Sequence, residues 1–256
     1  MNTFNSKLDS EVSHFYESQR LEEAFKYVDS FDSAVEKAVD LAYNDACRPL
    51  TDIGKLEAIK ICALGAVKTE IKKFKNLKMD FDVFHDSCCN AWCDNWSGNE
   101  KMKYGNYGTA QKIVNMSFKY LYCWESKCIK KVTDDFSKCH MVIDGYTLNW
   151  IIKQDTLRRK KNDPLKGISK TNWSSLNRDQ YKNIVGLINS LKESSEHWKE
   201  NGAFSGLSVF EAEFLIWQKE KEEELKEEFR SCIKRLKDYY SPEEIWSFLE
   251  EEIKAY

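Results

Sequence analysis

The sequence predicts an all-α fold, a multi-helix globular protein, on three observations. Apolar residues recur at three- and four-residue spacing along almost the whole chain, and no segment alternates as a half-buried strand would. Only 3 prolines and 10 glycines interrupt 256 residues, too few for a fold built from turns. Apolar residues make up 42% of the chain and aromatics 13%, well above disordered composition and sufficient for a substantial core.

Taken in order, helices are predicted over 6–17, 19–28 and 31–47 from apolar periodicity, and over 54–75 with Asp52 standing before "IGKLEAIK". Periodicity continues through 81–96. The helix 108–125 is entered through Gly108 and Thr109, and 144–160 opens at Asp144-Gly145. Helix 176–199 follows a breaker-rich loop. Helix 208–238 starts at Ser208 with Glu211 three residues on, a capping-box pattern, and 241–254 starts at Ser241-Pro242-Glu243-Glu244. The loops richest in breakers are 97–108 and 162–175. The expected organisation is one helical unit over 1–256, with lobes formed by 1–100 together with 176–256 and by a hairpin-containing 101–175.

A net charge of −3 argues against a protein coated in basic surface. Charge is nevertheless segregated. Residues 153–170 carry seven cations, among them Arg158, Arg159 and Lys160, against two aspartates, while acids concentrate in 220–230. Both runs read first as solvated helix faces. No stretch reaches the roughly 18 to 20 apolar residues of a membrane span, and "MNTFNSKLDSEVSHFY" has no apolar signal core, so a cytoplasmic chain without a membrane partner is expected. The nine cysteines are then expected as reduced thiols. A metal site through Cys123, Cys128, Cys139 and His140, or through Cys88, Cys89 and Cys93, is the sharper reading, but the spacings are not those of structural zinc sites.

One feature of "GTAQKIVNMSFKYLYCW" (108–124) sets a question. Lys112, Asn115 and Lys119 share one stripe of an otherwise apolar helix. Downstream, Met141, Val142 and Ile143 bring the chain in extended, and Asp144 is placed to cap the next helix, worth about 1 kcal/mol without any catalytic role. If Asp144 instead faces Lys112, desolvation and a nearby second cation prime the amine as a nucleophile, with the carboxylate to stabilise positive charge or move protons.

These residues resemble the layout of helix-hairpin-helix DNA glycosylases, nearest to the archaeal 8-oxoguanine DNA glycosylase branch. The likeness rests on Gln111-Lys112, Lys119 seven residues on, and Asp144 32 residues beyond Lys112. "GLSVFEAEFLIWQ" (206–218) is similar to that branch's late helix, with Glu211 as the positional match to a base-reading acid and Glu213 as fallback. The spacing of Gly105 and Gly108 departs from the family hairpin, and Ile143 stands where a proline is usual. The "GxAQKxxNMxxKYLY" and "E-x-E-F-x-x-W" patterns also resemble a bacterial family with no assigned activity.

The glycosylase resemblance implies DNA as partner, no cofactor, Lys112 as nucleophile and Asp144 as the residue stabilising oxocarbenium charge. It further implies that Lys119 biases Lys112 or holds a phosphate, and that Gln111, Asn115, Glu211 and Trp217 shape the pocket. The amides around Gly105 and Gly108, with Arg158, Arg159 and Lys160, would grip phosphates. His140 could contact DNA, and Trp92, Trp96, Trp124, Trp150 or Trp217 could sandwich an extruded base, although core packing explains most tryptophans. The competing expectation is a non-enzymatic helical protein, partner-binding or defence-associated in a bacterium or phage, in which Lys112 and Asp144 are a structural ion pair.

Overall fold

In the helix Tyr107–Trp124 every residue except Lys112 is buried, so an apolar sequence has been placed where a helix meets protein on all sides. The computed structural model describes residues 3–47, 56–96, 105–154, 165–237, 239–242, 244, 246 and 247. Among these residues the chain forms nine α-helices and no strand, an all-α fold. They are α1 (Thr3–Ser18), α2 (Leu21–Phe25), α3 (Phe31–Cys47), α4 (Glu57–Ile71), α5 (Phe81–Cys93), α6 (Tyr107–Trp124), α7 (Gly145–Gln154), α8 (Arg178–Ser194) and α9 (Val209–Leu236). No helix among the described residues is long and apolar enough to cross a membrane.

The central contact is α6 against α3. Ala34, Ala38, Ala42 and Ala46 are all buried and recur every four residues on α3, so a ridge of methyl groups lets the bulkier α6 approach closely. On another side, α5 and the turn after α4 supply aromatic rings. Phe74 lies 4.9 Å from Phe118 and 5.2 Å from Phe136 between ring centroids, with Phe81 and Phe84 edging the same cluster. Trp92, Trp96, Trp124 and Trp150 are at most 2% exposed; they are core, not a base sandwich.

Several ends follow the sequence signals. Ser208 and Glu211 form the capping box of α9, Ser241 and Glu244 exchange the same pair of bonds, and Asn177 with Gln180 does so for α8. Asp52 and most of the last expected helix lie outside the described residues. The chain divides into a unit Met1–Ile216 and a unit Trp217–Tyr256, and the dividing line falls within α9.

Candidate functional site

The extended segment before α7 is buried from Cys139 to Asp144 apart from His140, yet among the described residues it has no neighbouring strand to satisfy its backbone. Side chains take that role. Gln111 Nε2 donates to the Ile143 carbonyl at 2.7 Å while Gln111 Oε1 accepts from the Ile143 amide at 3.2 Å, imitating a strand partner. Asn115 Nδ2 donates to the Met141 carbonyl at 3.1 Å, and Thr147 Oγ1 to the Val142 carbonyl at 2.6 Å. Gln111 and Asn115 are both 0% exposed, so neither is placed to line an open pocket. Their polarity has an architectural cause: leaving such a buried amide or carbonyl unpaired costs about 1–3 kcal/mol.

Lys119 is likewise internal. It is 1% exposed and its Nζ lies 2.9 Å and 2.7 Å from the two carboxylate oxygens of Glu213, itself 1% exposed. The rings of Phe15 and Phe214 flank the ammonium at 4.2 Å and 4.6 Å. Burial pushes the Glu213 carboxyl above the usual carboxylate range, opposed by the attraction of Lys119. Lys119 therefore does not hold a phosphate, and its charge is matched by Glu213 and not left to repel Lys112. Glu211, the expected base reader, instead caps α9 through Ser208 and accepts from Tyr122 Oη at 3.4 Å.

Lys112 differs from the rest of its stripe. Its side chain keeps 13% exposure, and among the described residues its ammonium makes no hydrogen bond. The nearest carboxylate oxygen is Asp144 Oδ2 at 4.0 Å, and the Trp173 ring centroid lies 4.3 Å away. Asp144 is divided by function. Its Oδ1 accepts from the amides of Tyr146 at 2.9 Å and Thr147 at 3.1 Å, the helix cap that the sequence suggests. Its Oδ2 faces the amine. The arrangement thus brings together a lysine ammonium with three N–H donors, a fixed carboxylate oxygen and a half-buried indole.

Trp173 was not among the tryptophans singled out from the sequence. The only signal for it is an aromatic in the breaker-rich 162–175 loop. Gly108 holds it in place: the Gly108 amide donates to the Leu176 carbonyl at 2.8 Å, and a Cβ on Gly108 would stand 2.1 Å from the Trp173 carbonyl oxygen. That amide is thereby engaged within the fold and not held out to a phosphate. Gly105 packs against the Trp96 side chain in the same manner.

His140 stands in a second network. Its Nε2 is 2.6 Å from Asp82 Oδ1 and its Nδ1 3.0 Å from Tyr181 Oη, so both ring nitrogens are engaged. Tyr181 Oη also accepts from Asn115 and meets His85, whose imidazole burial drives well below its ordinary titration range. His140 borders a cavity of about 210 Å³ with Lys138, Asn189 and Lys192. Trp217 belongs to the second unit, with Lys221 Nζ 4.8 Å over its ring. Arg158, Arg159 and Lys160 lie outside the described residues. All nine cysteines are free, and no group of three or more metal-ligating side chains assembles among the described residues. Comparison of the chain with protein-family models, with curated proteins and with solved structures returned no match.

Proposed function

We propose that the protein is a DNA glycosylase/lyase-like enzyme acting on a damaged nucleotide through Lys112. The observation that carries this reading is that α6 buries every side chain but one, and that one is a lysine whose Nζ makes no hydrogen bond among the described residues. Asp144 Oδ2 takes the ammonium proton, and the Nζ lone pair attacks C1′ of the lesion. The N–C1′ bond forms as the glycosidic bond breaks, its electron pair leaving with the base, which takes the proton held by Asp144; opening of the C1′–O4′ bond, its electron pair going to O4′ with an amine proton, then gives the Schiff base. Having returned its proton to the base, the Asp144 carboxylate is anionic again and balances the positive charge on the sugar. Trp173 offers a face on which an everted base can stack.

Borohydride reduction in the presence of an oligonucleotide carrying 8-oxoguanine or an abasic site is expected to yield a covalent protein–DNA adduct with wild type and none with Lys112→Met. Absence of both adduct and released base from wild type on these substrates would overturn the proposal. The second reading, a non-enzymatic partner-binding protein, is favoured by one observation: Gln111, Asn115 and Lys119 are all engaged in holding the fold together. In that reading Lys112 and Asp144 only fix the register of α6 against α7.

A further inference from the structure

Beyond residue 217, α9 continues to Leu236 as a helix whose residues 225–232 are all exposed. Isolated helices are marginal in water, and a helix solvated all round is usually polar all round. This one is not. Leu225, Phe229, Cys232, Ile233 and Leu236 recur at spacings of four, three, one and three, which places them within one stripe, and Leu225 and Phe229 are 55% and 54% exposed. At 1.5 Å per residue the stripe runs for about 16 Å, three helical turns.

Charge along the same helix changes sign midway. Residues 219–228 hold six glutamates and three lysines, a balance of −3, whereas residues 229–237 hold four cations and no acid, a balance of +4. The helix dipole accounts for the basic end, because it lies in the last turns, but not for the acidic block, which sits about three turns in from the helix start at Val209. A second α9 laid antiparallel along the stripe would set each acidic half on a basic half and cover both apolar rows. A parallel copy would set like charge on like.

We infer that this stripe is a self-association surface on which the occupant is the antiparallel α9 of a second copy of the chain. Three turns of helix make a small interface by the standards of obligate dimers, so the dimer is a weak, concentration-dependent one. Sedimentation equilibrium of the full chain is expected to give a weight-average mass rising with concentration from 30.1 kDa towards twice that value. Added salt should return it towards the monomer, because salt screens the complementary charges. Phe229→Asp, an exposed substitution that leaves the helix intact by circular dichroism, should abolish the rise. A charge-reversed variant, Glu223→Lys with Glu224→Lys and Glu227→Lys, should stay monomeric alone and pair with Arg230→Glu/Lys234→Glu/Arg235→Glu. A chain that remains monomeric at every concentration, an association that Phe229→Asp leaves unchanged, or one that strengthens with salt would overturn the inference.

Discussion

Replacing Lys119 with methionine is expected to destabilise the protein by about 3–5 kcal/mol, among the largest effects of any single substitution in the chain. Both members of the Lys119–Glu213 pair are 1% exposed, so removing the amine leaves a carboxylate with no water to solvate it and two aromatic rings where its partner was. The same loss follows from Glu213→Leu, which strands the ammonium. The double variant Lys119→Met/Glu213→Leu should recover most of the stability, since no buried charge then remains and the volumes are similar. Chemical denaturation of the two single variants and the double variant measures this. The decisive quantity is the coupling between the two positions, which should be of the same order as each single loss.

Gly108→Ala is the second large effect. The added Cβ would meet three backbone atoms of the turn after residue 172, at 2.1 Å from the Trp173 oxygen, 2.8 Å from the Ser174 carbonyl carbon and 2.9 Å from the Leu176 nitrogen. Backbone cannot swing aside as a flexible side chain can, so the turn must move. Overpacking of this kind costs about 1–3 kcal/mol, with this contact at the upper end. Displacing the turn also moves Trp173 relative to Lys112, so the variant should lose melting temperature and, under the proposed function, adduct formation with the lesion-bearing oligonucleotide. Gly186→Ala supplies the contrast. Its Cβ would have nothing within 4 Å, and in the interior of α8 alanine should stabilise by about 0.5–1 kcal/mol. Thermal unfolding of the pair separates a glycine needed for close approach from one that is merely present.

Much of the fold was legible because periodicity and caps are local. The alanine ridge of α3, the Ser208–Glu211 box and the apolar span of α6 can each be read from a short window. The meaning of the polar stripe on α6 was not, because it depends on what lies opposite. Gln111 and Asn115 are explained by the backbone of 141–143, about thirty residues away, and Lys119 by Glu213, 94 positions on. Spacing alone gave Lys112 and Lys119 equal standing as functional cations. Burial separates them. The Asp144 cap was visible in the Asp-Gly step, whereas its approach to Lys112 depended on how the two segments pack, and the separation is 4.0 Å. Trp173 escaped notice because no periodic pattern marks a ring in a loop, and only the close approach at Gly108 fixes where it lies.

Under the proposed function one lysine of α6, Lys112, is held ready for chemistry, and the other, Lys119, maintains the fold. Thermal unfolding of Lys112→Met beside Lys119→Met tests it without a substrate. Lys119→Met should lower the melting temperature by roughly 6–20 °C, whereas Lys112→Met should leave it nearly unchanged or raise it, as expected where stability has been given up for function. A fall for Lys112→Met as large as that for Lys119→Met would make the Lys112–Asp144 pair a structural one and remove the basis for a reactive amine.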